Sequence, residues 1–300
     1  MSVEQLPLFS LTRESPLSAA INGFHEHMIR KGFTENTIKA FLNDLRILTR
    51  YLGDDHPLSQ IGTSELNDFM TYLRHYRGVP CNPKSYARRM TTLKVFFGWL
   101  AEEGIIPSDP AAPLIHQRAS TPLPQILYQG QVEKLLQATE GLMHADKPDA
   151  RPHLLVTFLL QTGIKKGECM AIQLNDIDTS EPKAPVLYIR YSNPKMKHKE
   201  RKLGLSADFV PILQQYLAEY QPKERLFECT ARNLEYVLDN AARLAGLETI
   251  SFEILRWTCA VRDYKAKMPS DKLRQKLGLS RITWQEEALE KLKKLASPPL

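Results

Sequence analysis

A chain of 300 residues with 43% hydrophobic content is long enough for one large or two medium domains with real cores. No apolar run reaches the length of a membrane span, and the N-terminal MSVEQLPLFSLTRESPL is neither a signal peptide nor a basic presequence, so a cytoplasmic protein with no membrane partner is expected. The net charge of +6 and the pI of about 9.0 permit nucleic-acid binding without requiring it.

Along the chain, residues 1–14 read as a flexible N-terminus. From Ser15 to Gly104 the pattern is helical throughout, which defines a helical domain over 15–105. Thr34-Glu35-Asn36 opens an amphipathic run with Ile38, Phe41, Leu42, Leu45 and Leu48 at helical spacing, stopped at Gly53. A second helix follows, with Ser64 as its cap and Leu66, Phe69 and Leu73 on one face. Asn82-Pro83 starts a third, whose core face is Met90, Leu93, Phe97 and Leu100. Five prolines and little periodicity mark residues 106–124 as an extended linker.

The second domain, 125–300, is expected to open with a helix from Gln129 to Thr139 and a buried apolar helix from Arg151 to Thr162. Val186 to Tyr191 alternates like a strand, with Lys202 to Leu205 as its hairpin partner. Helices are expected at 207–220, 231–245 and 254–268. The last run, 284–296, carries Leu289, Leu292 and Leu295 on one stripe. The stretch from Arg190 to Lys202 holds six Lys/Arg against one Glu, and charge alone reads equally as a solvated turn or a phosphate-facing hairpin. Cys81, Cys169, Cys229 and Cys259 are widely separated, with no CxxC pair and no histidine cluster, so neither a metal nor a cofactor is expected.

Several blocks then carry a resemblance. NTIKAFLNDLRILTRYL, ARRMTTLKVFFGWLAEEGIIPSDPA, TGIKKGECMAIQLNDID, KHKERKLGLS, SFEILRWTCA and LGLSRITWQ occur in this order over nearly the whole chain. Together they resemble the motifs of tyrosine recombinases of the phage-integrase family. The resemblance implies a mainly α, two-domain clamp. Its parts are an N-terminal SAM-like helical core-binding domain and an α-rich catalytic-type domain with a small β-sheet.

In that family a tyrosine attacks a DNA phosphodiester, two arginines clamp the non-bridging oxygens, and a hairpin lysine protonates the leaving oxygen. Two histidines, the second sometimes a tryptophan, assist. The resemblance carries the first arginine onto Lys165, which keeps the charge but loses the planar fork. The hairpin lysine falls near Met196, between Lys195 and Lys197. The first histidine falls on Glu253, whose carboxylate repels a phosphate, and the second on Leu279, which has no proton to give. Arg256 keeps the second arginine, followed by Trp257. The nucleophile falls near Ala288, and the last of the eleven tyrosines is Tyr264. Losing the nucleophile removes the covalent route. Tyr264 reads as a core residue, Ser280 and Thr283 as turn or cap residues, and Trp284 as a poor substitute for the missing acid. Lys165 and Glu253, changed with complementary sign, are expected to pair.

DNA binding needs none of the lost groups, because phosphate contacts carry most affinity and groove contacts carry preference. The resemblance assigns this work to Lys31, Thr34, Asn36, Lys39, Lys84, Arg88, Arg89, Thr92 and Lys94 in the first domain, and to Lys195, Lys197, Lys199, Arg201 and Arg256 in the second. The first 120 residues hold thirteen basic and twelve acidic side chains, so their share of the attraction is small. The expectation is a catalytically inactive tyrosine-recombinase-like protein that binds duplex DNA in a regulatory, architectural or accessory role, with an active recombinase as a candidate partner. The alternatives are an active strand-exchange enzyme with a non-canonical or partner-supplied nucleophile, and a protein-interaction module without DNA binding. The 284–296 stripe is open to two uses, docking on a second copy of the chain or packing in cis.

Overall fold

Among the described residues, four α-helices build the first part of the chain: α1 (Leu17–Arg30), α2 (Glu35–Leu52), α3 (Thr63–His75) and α4 (Pro83–Glu102). The computed structural model describes residues 11–115 and 122–297. It divides into two units, 1–122 and 123–300. Helix α2 starts where the Thr34 hydroxyl accepts from the Thr37 amide at 3.2 Å, and it buries Phe41, Leu45 and Leu48 at the expected spacing. Helix α4 starts on the Asn82 side chain, which accepts from the Ser85 amide at 2.8 Å, with Pro83 in the first turn. At α3 the cap differs from expectation. Ser64 lies inside the helix, and the Glu65 carboxylate reaches back to the Gly62 amide at 2.9 Å. Phe24, Phe69, Phe96 and Phe97 fill the core.

A polar tie joins α2 to α4 and corrects two expectations. Asp44 is buried, and burial pushes its carboxyl up, opposed by Arg88, Thr92 and Arg89. Thr92 is fully buried and donates to Asp44 at 3.0 Å. Arg88 pairs with the same carboxylate. Arg89 sits 3.4 Å from it, with a side chain only 11% exposed. A buried carboxylate demands such partners, so Thr92 and Arg89 face the interior rather than a ligand, and Arg88 is half engaged there.

The ends of this unit also differ from expectation. Leu11 packs against the core, and the Ser59 amide donates to the Arg13 carbonyl at 2.7 Å, so the part of the expected flexible N-terminus that is described, 11–14, is held. Residues 1–10 lie outside the described residues. Ile106, Ala111 and Leu114 are buried in the same core, so the proline-rich stretch packs as far as Leu114. Thr63 and Lys94 fasten it by donating to the carbonyls of Pro110 and Ala112 at 2.8 and 3.1 Å. The apolar residues between the prolines decide this. Residues 116–121 of the expected linker lie outside the described residues.

In the second unit α6 (Arg151–Thr162) is apolar all round and buried on nearly every face, as a central helix must be. It is surrounded by α5 (Gln129–Met143), α8 (Phe209–Tyr220), α9 (Ala231–Leu244) and α10 (Phe252–Lys265). The short α7 (Lys166–Ala171) follows α6. The sheet is antiparallel, in the order β1 (Ile177–Asp178), β2 (Val186–Ile189), β3 (Arg201–Gly204), with Leu187 opposite both Ile177 and Leu203. The hairpin is thus the expected one, and the basic stretch is its connection, containing a 3-10 turn at Pro194–Lys199.

The chain then runs through α11 (Ser270–Lys276), α12 (Arg281–Thr283), a π-helical turn at Trp284–Ala288 and α13 (Leu289–Ala296). Leu292 is fully buried, and Trp284, Ala288, Leu289 and Leu295 pack with α10 and α11 in a small second core. The leucine stripe is therefore occupied in cis. No helix among the described residues is long and apolar enough to cross a membrane.

Candidate functional site

Helix α6 ends on Gly163, whose left-handed backbone (φ 60°) turns the chain into α7. A side chain there would press on Cys259 and Leu277 at 3.2 Å, so the close approach also requires glycine. This turn delivers Lys165. Its amide donates to Glu168 at 2.9 Å, and its ammonium donates to the Gly278 carbonyl at 3.3 Å. Burial lowers the lysine's pKa; Glu168 opposes this, and Arg256, Lys199 and Arg201 add to it. No ion pair joins Lys165 to Glu253 among the described residues. Glu253 is exposed on the same cleft, and the expected pair is not formed because the ammonium is drawn to the carbonyl.

Glu168 organises the neighbourhood. It is 6% exposed, and Arg201 grips it with two bonds of 3.0 and 2.8 Å, while the Tyr191 hydroxyl donates a third. Burial acts to raise its pKa, but the Arg201 bonds and charge, the Lys165 amide and Tyr191 outweigh it and hold the carboxyl at about 2. Tyr191, half-buried against that carboxylate, is pushed up to about 12. Arg201 is thereby turned inward, correcting its expected place at a ligand. Its Nε also donates to the Lys276 carbonyl at 2.8 Å.

Arg256 donates to the carbonyls of Gly163 and, at 2.6 Å, Leu277. Three successive carbonyls at the end of α11, those of Lys276, Leu277 and Gly278, thus accept from Arg201, Arg256 and Lys165. This is the negative end of a helix, where cations are favoured. Gly278 (φ 57°) makes the approach possible, since a Cβ there would lie 2.7 Å from the Arg201 guanidinium.

Three cavities surround this knot. A cleft of about 640 Å³ includes Lys165, Glu253, Arg256 and Trp257, with Glu235 paired to Lys166 on its wall. A smaller cavity of about 190 Å³ includes Lys165, Arg256, Leu279 and Ala288. Of the positions carried over by resemblance, Lys165, Glu253, Arg256, Leu279 and Ala288 therefore lie on two adjoining cavities. A groove of about 880 Å³ between β3 and the α11–α12 segment is lined by Lys199, Arg201, Lys202, Lys272, Arg274, Lys276 and Arg281, against Glu200.

Lys195 and Lys197 are exposed on the 3-10 turn, and neither lines these cavities. Trp284 is turned away, its indole N–H donating to Ser270 at 3.0 Å. Tyr264 packs in the second core, and Ser280 caps α12 by accepting from the Thr283 amide at 3.1 Å, both as expected. Lys31, Thr34, Asn36, Lys39 and Lys84 are exposed around the starts of α2 and α4, with Lys39 bonded to Glu35 at 2.7 Å. Sequence reasoning missed Lys272 and Arg281 and took Lys202 only as the end of the basic stretch, because the groove draws them from separate elements. Arg274 and Lys276 line it too, but each is neutralised, by Asp271 at 2.8 Å and Asp263 at 2.6 Å.

Residues 125–285 match the phage integrase family, and residues 21–104 match the phage integrase N-terminal SAM-like domain. The chain is 28% identical over 245 residues to the tyrosine recombinase XerC of Staphylococcus epidermidis, covering 77% of this chain and 78% of that protein. It is 28% identical over 202 residues to XerD of Listeria innocua, covering 67% and 64%. The fold is shared with XerH site-specific recombinase, solved in a post-cleavage complex with its palindromic difH substrate. That match has a TM-score of 0.70 and 17% identity over 97% of this chain and 98% of that one. A lambda integrase tetramer bound to a Holliday junction gives 0.69 and 18% over 96% and 81%. Two domains in family order, matched over more than half of the chain, place it in the phage integrase family.

Proposed function

We propose that this chain is a tyrosine-recombinase-like protein that binds duplex DNA and does not cleave it. The observation that carries the loss of cleavage is Ala288. It lines the cavity shared by Lys165, Arg256 and Leu279, where the resemblance calls for a nucleophilic phenol, and a methyl group cannot form a phosphodiester intermediate. Glu253 in the neighbouring cleft adds a carboxylate where the reaction builds negative charge, and Lys165 offers a point charge where a bidentate fork is needed.

DNA binding is supported by the family and by the basic groove. Lys199, Lys202, Lys272 and Arg281 line it without a carboxylate in ion-pair contact among the described residues, and Lys195 and Lys197 extend the charge along the hairpin connection. Lysines and arginines so placed bind phosphates and release counterions. The solved relatives include a dimer and a tetramer on DNA. On this reading the chain assembles through surfaces other than its leucine stripe, which its own core occupies. A regulatory, architectural or accessory role beside an active recombinase fits such a protein.

The test is selection of bound duplexes from a random library, followed by affinity measured against salt. Six phosphate contacts predict a slope of log K against log salt of about −5, and Lys202→Ala or Lys272→Ala each makes it shallower by about 1. The selected duplex incubated with the protein yields no adduct surviving SDS. A flat salt response, with no enriched sequence, would return the chain to the class of protein-interaction modules.

A further inference from the structure

The cavity beside Ala288 has two unlike halves. Trp257, Leu277, Leu279 and Ala288 form an apolar side, and Ala288, only 4% exposed, floors a pocket of about 190 Å³ that opens to solvent past Thr283 and Glu287. A cavity of roughly 150 Å³ takes a benzene-sized ring. The other side is cationic. Glu287 is present, but Lys291 faces it at 3.6 Å. The ammonium of Lys165 has a carbonyl partner and, among the described residues, no carboxylate in ion-pair contact. Arg256 uses one N–H of each terminal nitrogen on a carbonyl, and a guanidinium has five N–H donors. Charge and hydrogen-bonding capacity are thus left over at the rim of a ring-sized apolar space. Binding sites commonly combine an apolar wall with a few convergent polar groups in this way.

We propose that this cavity binds a single-ring aryl anion, with the ring seated over Ala288 and the oxyanion held by Lys165 and Arg256. An aryl phosphate and an arenecarboxylate share this chemistry. The site lies inside the second unit and its occupation requires no DNA, so the test stands apart from the DNA-binding reading.

Calorimetric titration of the full chain with phenyl phosphate, benzoate, phenol and inorganic phosphate separates the contributions. Saturable binding of phenyl phosphate or benzoate, at least tenfold tighter than phenol and inorganic phosphate, is expected, and the tighter of the two identifies the oxyanion. Ala288→Phe fills the ring space and lowers that affinity at least tenfold while leaving the melting temperature unchanged or higher. In the unsubstituted protein the indole N–H resonance of Trp257, assigned with Trp257→Phe, shifts on titration with the aryl anion and not with phosphate. Aryl anions that bind no better than phosphate, or that leave the Trp257 resonance unmoved, would overturn the proposal.

Discussion

At the scale of single residues, the Glu168 carboxylate is the group on which the site is hung. Its partners come from β3, from the residue after β2's basic exit and from the amide before α7. Its pKa of about 2 lies below the ordinary 4.5, so the stabilisation it lends is complete above about pH 5 and fades as pH falls through 4.5 toward 2. The difference corresponds to about 3 kcal/mol. Glu168→Gln is therefore expected to lower stability at pH 7 by about 3–5 kcal/mol, since it strands a buried guanidinium. It also flattens the loss of stability between pH 5 and 3, which urea unfolding at both pH values measures. The same pairing explains where the charges went. Arg88, Arg201 and Thr92 look available in the sequence because their carboxylate partners lie 44, 33 and 48 residues away. Charge counted along a chain says nothing about such partners.

At the scale of elements, amphipathic periodicity made most helices legible. The apolar run at 151–162 stops at Gly163, the helix expected at 231–245 ends one residue earlier, and proline at the start of α4 marks its first turn. The two residues of β1 carry no pattern to read, and α7 and α11 are too short for one. The π-helical turn at Trp284–Ala288 is also silent in sequence, because it differs from an α-helix only in which carbonyl each amide chooses. What holds that last helix is its seat on α10 and α11. Leu292→Ala removes a fully buried side chain from a small core and is expected to cost about 2–5 kcal/mol. Faster amide exchange confined to residues 284–296 is the accompanying sign, measured by mass spectrometry.

At the scale of the whole molecule, the candidate site was legible as a list of positions and not as an arrangement. Ordered blocks singled out Lys165, Arg256, Leu279 and Ala288, and the fold brings them around one cavity. The basic groove was invisible because Lys202, Lys272 and Arg281 share neither a block nor a helix face. On the proposed reading several groups have changed together, so restoring one is not expected to restore chemistry. Ala288→Tyr alone yields no SDS-stable adduct on a selected duplex, and an adduct is expected only when Lys165→Arg, Glu253→His and Leu279→His accompany it. Denaturing gels of labelled DNA decide this, and an adduct with the single substitution would show that the surviving groups suffice. The three carbonyls after α11 have a further consequence, for the order in which the unit assembles. Their cations lie 75, 21 and 113 residues away, so three loops of very different length must close on one turn. Closure of long loops is slow and entropically unfavourable. That turn is therefore among the last places to become protected during refolding, and its closure records that the sheet, α6 and α10 have all arrived.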